Sequence, residues 1–214
     1  MGCLSHHSIT PWDFYPITYD GRMARWEAGA RERLVVAAVE LFTEQGYDET
    51  TVAQISERAG LTKSTFFRHF PDKRELLVAG QETLSALLAE GILSAPSGAT
   101  PLAAVATGLE RASSEMGPVN RDLGPRLKAA VAANAELRER DALKSVGMAA
   151  AMTDALLARG ASETTAHLAG EMGVLAFKQG YTRWSEGDRE GDAGLAPHVL
   201  AALDDLRRAA SSLD

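Results

Sequence analysis

Residues 41–77 read LFTEQGYDETTVAQISERAGLTKSTFFRHFPDKRELL, and the punctuation of this stretch decides the fold. Gly46 stops a helix whose apolar face is Leu34, Val35, Ala38, Leu41 and Phe42, at i, i+1, i+4, i+7 and i+8. Thr51-Val-Ala-Gln54 has capping-box spacing and opens a second helix with Val52, Ile55 and Ala59 inward. Gly60 supplies a turn, and Thr62 caps a third, short helix that Pro71 ends. Phe66 and Phe70, four apart, face inward and hold that helix to its neighbours. Two short helices joined by a tight turn, the second followed by basic residues, have helix-turn-helix geometry, in which the second helix enters a DNA major groove. Lys63, Ser64, Thr65 and Arg68 carry donors that reach base edges or phosphates. Between Arg58 and Arg74 stand five basic residues and one acid, a local charge of +4.

Downstream, Asp72 and Glu75 form a second capping-type pair. They are expected to open a long helix at about 72–93 through Leu76, Leu77, Leu84, Leu87 and Leu88. Further helices are expected at about 100–116, 122–134, 136–159, 162–186 and 195–211. The breaks are Gly117-Pro118, Gly124-Pro125, Gly160 and the polar run from Gly187 to Gly194. No strand-like alternation is present, so the fold is read as all-α. Ten of the thirteen aromatic residues precede residue 71, and a body of Ala, Leu, Val and Met follows. This shift divides the chain into a leader at 1–22, a helix-turn-helix domain at 23–71 and a helical body at 72–214. The leader, with Pro11, Pro16 and Gly21, shows no helical period. It reads as a disordered segment ahead of Met23, or as a translation start placed too early. The alternative is an ordered arm packed on the body or on a partner.

The chain has 214 residues, with 22 Lys+Arg against 29 Asp+Glu and a net charge of −7. That balance argues against a general nucleic-acid coat or a polybasic membrane binder. Divided along the chain, the charge is −2 over residues 1–21, zero over 22–80 and −5 over 81–214, so the acidity belongs to the body. One cysteine, Cys3, excludes an internal disulfide framework and a Cys-based zinc site. No apolar run approaches a membrane span and no secretory signal opens the chain, so a cytoplasmic location is expected. No Gly-rich phosphate loop is present, and no cofactor is expected. Glu163, His167 and Glu171 recur every four residues and read as a solvated helix face, with no metal site.

The run from Leu34 to Leu77 resembles the DNA-binding domain of the tetracycline repressor family of bacterial regulators. The features that carry the resemblance are Leu41-Phe42, Gly46-Tyr47, Thr50-Thr51-Val52, Ile55, Ala59-Gly60-Leu61, Thr65-Phe66-Phe67, His69-Phe70 and Lys73. The resemblance implies three DNA-binding helices and about six more in a body for ligand binding and dimerisation. It implies that Thr51 donates to a phosphate, that Thr62, Lys63, Ser64 and Thr65 lie against the groove, and that His69 and Lys73 bind the DNA backbone. A lysine in the first turn of a helix opposes the macrodipole, which favours an anionic partner for Lys73. Removing it would then lower the salt slope of binding by about one. Phe67 stands where the family usually carries Tyr. Its ring can meet a thymine methyl or a sugar, but it has no hydroxyl for a phosphate.

The resemblance further implies a homodimer joined by the last two long helices, at about 162–186 and 195–211, and a palindromic double-stranded operator. A small-molecule effector would bind between the helices of the body. Candidate lining residues are Met116, Met148, Met152, Phe177, Tyr181 and Trp184, since Met suits an adaptable apolar pocket. The expected function is that of a transcriptional regulator, a repressor released by its effector, with the 72–93 helix as the lever between head and body. A ligand-independent architectural DNA binder would carry the same head with a solid body. An enzyme with an appended helix-turn-helix would need a catalytic constellation. The body offers no Ser-His-Asp spacing, and only His167 and His198 as imidazole bases.

Overall fold

The computed structural model describes residues 23–78, 80–188 and 194–213. The expected leader at 1–22 lies outside the described residues. Ten helices follow in order, and no strand occurs among the described residues. The head comprises α1 (Met23–Gln45), α2 (Val52–Arg58) and α3 (Lys63–His69). A single turn, α4 (Glu75–Val78), leads into the body. The body comprises α5 (Gln81–Ser94), α6 (Pro101–Ser113), α7 (Pro118–Ala133), α8 (Ala135–Ala158), α9 (Glu163–Glu186) and α10 (Ala196–Ala210). The expected all-α fold is observed, and α1 starts at Met23, ahead of the first readable apolar period at Arg31.

Most boundaries follow from caps. Thr51, Thr62, Thr100, Asn134 and Ser162 each accept a hydrogen bond from the backbone N–H three residues on, satisfying a donor the helix cannot. Two expectations are corrected. The long helix at 72–93 is two helices, because Gly80 adopts the left-handed region at φ 82° and breaks the ladder between α4 and α5. Conversely, Gly124-Pro125 does not end a helix, and α7 runs through it. Pro125 removes one i→i−4 bond, but α7 is held along its length by packing on α1, α8 and α9. Gly124 lets it approach Tyr181 and Ser185 so closely that a Cβ there would lie 2.7 Å from the Ser185 Cβ.

Two apolar cores result. The body core includes Leu88, Leu109, Met152, Leu156 and Trp184. The head core includes Leu34, Phe42, Tyr47, Ile55, Phe66 and Phe70, and it is completed by Ala130 of α7 and Leu137 of α8. Leu137 is 0 % exposed. The corner between α7 and α8 is therefore inserted into the head. Polar contacts surround the plug: Asn134 donates to the Asp48 carboxylate at 3.4 Å, Arg74 lies 3.4 Å from Glu136, and Arg140 lies 3.5 Å from Glu75.

Leu137→Ala should cost about 2–5 kcal/mol, the range for emptying a fully buried leucine site. Urea denaturation of the intact chain measures it. A loss well under 1 kcal/mol would show that the corner does not close the head core.

Candidate functional site

The helix-turn-helix is built by short-range hydrogen bonds. Thr51 Oγ1 accepts from Gln54 N at 3.3 Å, and Gln54 Oε1 accepts from Thr51 N at 2.8 Å. The Thr51 hydroxyl also lies 2.9 Å from Gln54 Oε1, to which it donates. The expected phosphate donor is thus turned toward its own capping box. Gly60, at φ 64°, reverses the chain, and Leu61 N donates to Ser56 O at 2.8 Å across the turn. The Arg33 guanidinium donates to the carbonyls of Ala59 and Gly60, tying this turn to α1. Thr62 Oγ1 accepts from Thr65 N at 3.1 Å and opens α3.

On α3 the side chains divide cleanly. Phe66 and Phe70 are buried, their ring centroids 5.7 Å apart, and the Arg31 guanidinium lies 4.6 Å from the Phe70 centroid. Thr62, Lys63, Ser64, Phe67 and Arg68 are exposed, while Thr65 and His69 are half-buried. Positions 63, 64, 67 and 68 share one helical face. That face presents an ammonium, a hydroxyl, an aromatic ring and a guanidinium together. Phe67 is 56 % exposed, unusual for a ring so near a core.

The Lys73 side chain is engaged within the chain. Its ammonium donates to the carbonyls of Tyr47 at 2.7 Å and Thr50 at 3.0 Å, reaches that of Asp48 at 3.5 Å, and lies 4.1 Å from the Tyr47 ring centroid. The cation gathers carbonyls of the loop between α1 and α2, adding to the bond that the Tyr47 carbonyl already accepts from Thr50 N at 3.2 Å, and covers one face of the Tyr47 ring, whose other neighbour is Phe42. Two further members of the basic segment are similarly engaged. Arg58 forms a two-pronged pair with Glu44, at 2.9 and 2.7 Å, and reaches Glu40 at 3.3 Å. Arg74 donates through two guanidinium nitrogens to Asp72 Oδ2, and these hydrogen bonds hold the Asp72 carboxyl below its ordinary range. The local +4 therefore overstates the charge offered outward. Lys63 and Arg68 are the exposed cations of α3.

A cavity of about 530 Å³ lies between α1, α4, α7, α8 and α9. Met116, Met148, Phe177 and Tyr181 line it, as expected. Met152 and Trp184 do not. Met152 is 0 % exposed, its sulfur filling the space over Gly173, and Trp184 is buried with the Arg121 guanidinium 5.8 Å from its ring. Met152 is core because Gly170 and Gly173 of α9 let α8 approach closely, and Trp184 is core against Tyr181 and Arg121. The Tyr181 hydroxyl donates to the Asn120 carbonyl, and burial raises its pKa. The sequence reading missed the wall contributed by the head: Val35, Val36 and Val39 of α1 and Leu76 of α4. The one signal was the width of the apolar stripe of α1, broader than three short helices need. It also missed Glu32 and Lys144, two ionisable groups on the cavity wall. Burial raises the pKa of the first and lowers that of the second. Among the described residues no helix is long and apolar enough to cross a membrane.

Comparison with known proteins places these features. Residues 34–79 match the bacterial regulatory proteins of the tetR family. The chain is 37% identical over 75 residues to the HTH-type transcriptional regulator TcmR of Streptomyces glaucescens, covering 35% of this chain and 33% of that protein. It is 41% identical over 49 residues to the HTH-type transcriptional regulator SrpR of Pseudomonas putida, covering 23% of each. The matched segment thus spans about a third or less of these relatives' length. Among solved structures, Bacillus subtilis FadR in complex with stearoyl-CoA aligns with a TM-score of 0.52 at 20% identity, over 81% of this chain and 95% of that one. A TerR/AcrR-family regulator of Aquifex aeolicus aligns with a TM-score of 0.50 at 19% identity, over 83% and 98%. At such identities the likeness extends to the fold alone.

Lys73→Ala should lower stability by about 2 kcal/mol, the scale of hydrogen bonds to a charged donor. It should leave the slope of log affinity against log salt for DNA unchanged. Thermal denaturation and fluorescence anisotropy at several salt concentrations test this. A slope reduced by one with stability intact would restore the phosphate role.

Proposed function

We propose that the chain, whose residues 34–79 match the bacterial regulatory proteins of the tetR family, is a sequence-specific, DNA-binding transcriptional regulator. The observation that carries this reading is the outward face of α3. Lys63, Ser64, Phe67 and Arg68 stand exposed on one side while Phe66 and Phe70 anchor the other. Lys63 and Arg68 suit guanine edges or phosphates, Ser64 either, and Phe67 a thymine methyl. Thr51 and Thr62 order the reading helices through their caps. Thr65 and His69, half-buried at the edge of the face, contact the adjacent backbone. We assign residues 23–71 to the reading head and 72–214 to a body that binds effector and partner, in a cytoplasmic protein.

A homodimer formed through α9 and α10 would set two α3 helices about 34–36 Å apart, matching a palindromic operator. Leu168 and Leu175, seven residues apart on α9, are 62 % and 45 % exposed, which supports a partner over that face. The cavity supports release by an effector, because one set of walls serves both parts. A ligand between α1, α4 and α8 touches the head directly and would favour one placement of it. The coupling is reciprocal, so operator DNA must weaken the effector by the same factor. The relatives with assigned roles are transcriptional regulators, and FadR of Bacillus subtilis was solved with stearoyl-CoA. The ligand-independent alternative requires a solid body, which a cavity of about 530 Å³ disfavours.

Selection of bound fragments from genomic DNA should enrich one palindrome. Lys63→Ala should weaken its binding by about 1–3 kcal/mol and relax preference at one base position. No enriched palindrome would overturn the regulator reading. In sedimentation equilibrium, Leu168→Glu with Leu175→Glu should convert dimer to folded monomer. An unchanged dimer would move the interface elsewhere.

A further inference from the structure

We propose that the cavity takes an aliphatic monocarboxylate, with its carboxylate against Lys144 of α8 and its hydrocarbon tail along the walls shared with α1 and α7. This inference rests on the effector reading above and names the class of ligand.

The tail follows from the walls. Val35, Val39, Leu84, Leu123, Leu127 and Met148 are all aliphatic. The two rings that line the space, Phe177 and Tyr181, are stacked on each other at 6.1 Å with planes 18° apart, so each already has a ring as neighbour. Such a surface favours a flexible chain over a planar ring system.

The head group follows from a count of charges. Four cations and two acids line the cavity: Lys128, Arg138, Lys144 and Lys178 against Glu32 and Asp141. Three of the cations have partners. Lys128 lies 2.8 Å from Glu186, Arg138 donates to the Ala132 carbonyl at 2.8 Å, and Lys178 pairs with Asp141 at 3.1 Å. Lys144 makes no hydrogen bond or ion pair among the described residues. Its surroundings act against its charge. Burial lowers its pKa, Asp141 offsets part of this, and Lys178 adds repulsion. Two ammonium groups thus share one carboxylate, leaving one positive charge in excess. The remaining acid, Glu32, comes from α1 and forms no ion pair with Lys144 among the described residues, and burial raises its pKa. A ligand carboxylate at Lys144 would supply the missing charge-assisted bond in a water-poor site, where such bonds are strongest.

Isothermal titration of the full chain with octanoate, 1-octanol and octylamine tests the assignment. Octanoate should bind about tenfold or more tighter than 1-octanol, and octylamine most weakly. Lys144→Met keeps the apolar stem and should erase the preference while leaving 1-octanol affinity unchanged. Lys144→Arg should retain the preference, and Glu32→Gln should leave it in place. Equal affinities, a preference for the amine, or a preference that survives Lys144→Met would overturn the carboxylate assignment and leave the effector reading standing. Binding of none of the three, by a protein that still binds its operator, would overturn both. If Lys144→Met does not fold, the ratio of octanoate to 1-octanol affinity on the unaltered chain decides by itself.

Discussion

The structure depends on the insertion of the α7–α8 corner into the head. The head pairs one long helix, α1, with two helices of seven residues each, and its core is shared with the body. Ala130 and Leu137 close it, and they come from the body. The polar contacts around them, Asn134 to Asp48, Arg74 to Glu136 and Arg140 to Glu75, are partly exposed and individually weak. They set register, while the buried leucine supplies the free energy. The reading helix α3 packs on α1 and α2, and through α1 and α4 the head rests on α7 and α8.

The same two helices form walls of the cavity, with α1 and α4 opposite. Occupancy of the cavity and placement of the head are therefore expressed in one set of contacts. No long lever is needed. The break at Gly80 separates α4, which packs on α8, from α5, which packs on α6 and α8. A break lies where a continuous rod was expected. The division of charge acts alongside. The body is acidic, and Arg58, Lys73 and Arg74 spend their charge on internal partners. What remains outward on α3 is small, which suits selection of a site over adhesion to any duplex.

Much of the head was legible because its determinants are local. Thr51 and Gln54 are three residues apart, as are Thr62 and Thr65, and Phe66 and Phe70 are four apart. A cap or a helical face is decided within one turn of chain, so spacing alone reveals it. What spacing did not reveal has an opposite cause. Pro125 reads as a breaker, but packing on three helices outweighs one missing hydrogen bond. Met152 and Trp184 have the chemistry of a pocket lining, but Met152 fills the close approach of α8 and α9 over Gly173 and Trp184 packs beside Arg121. Thr51 and Lys73 carry donors suited to phosphate, and each is engaged by a group the chain itself provides.

By itself, the sequence determined the helical class, the order of the elements, and the helix-turn-helix with its inward and outward residues. Each of these rests on hydrogen bonds and apolar periods that span only a few residues. Tertiary structure alone decided which charges face outward, that the head borrows its core from the body, and that α1 walls the cavity. It alone left Lys144 without a carboxylate of its own. These outcomes depend on groups dozens of residues apart, Lys73 with Tyr47 and Lys144 with Lys178 among them, and no spacing in the chain encodes their distance.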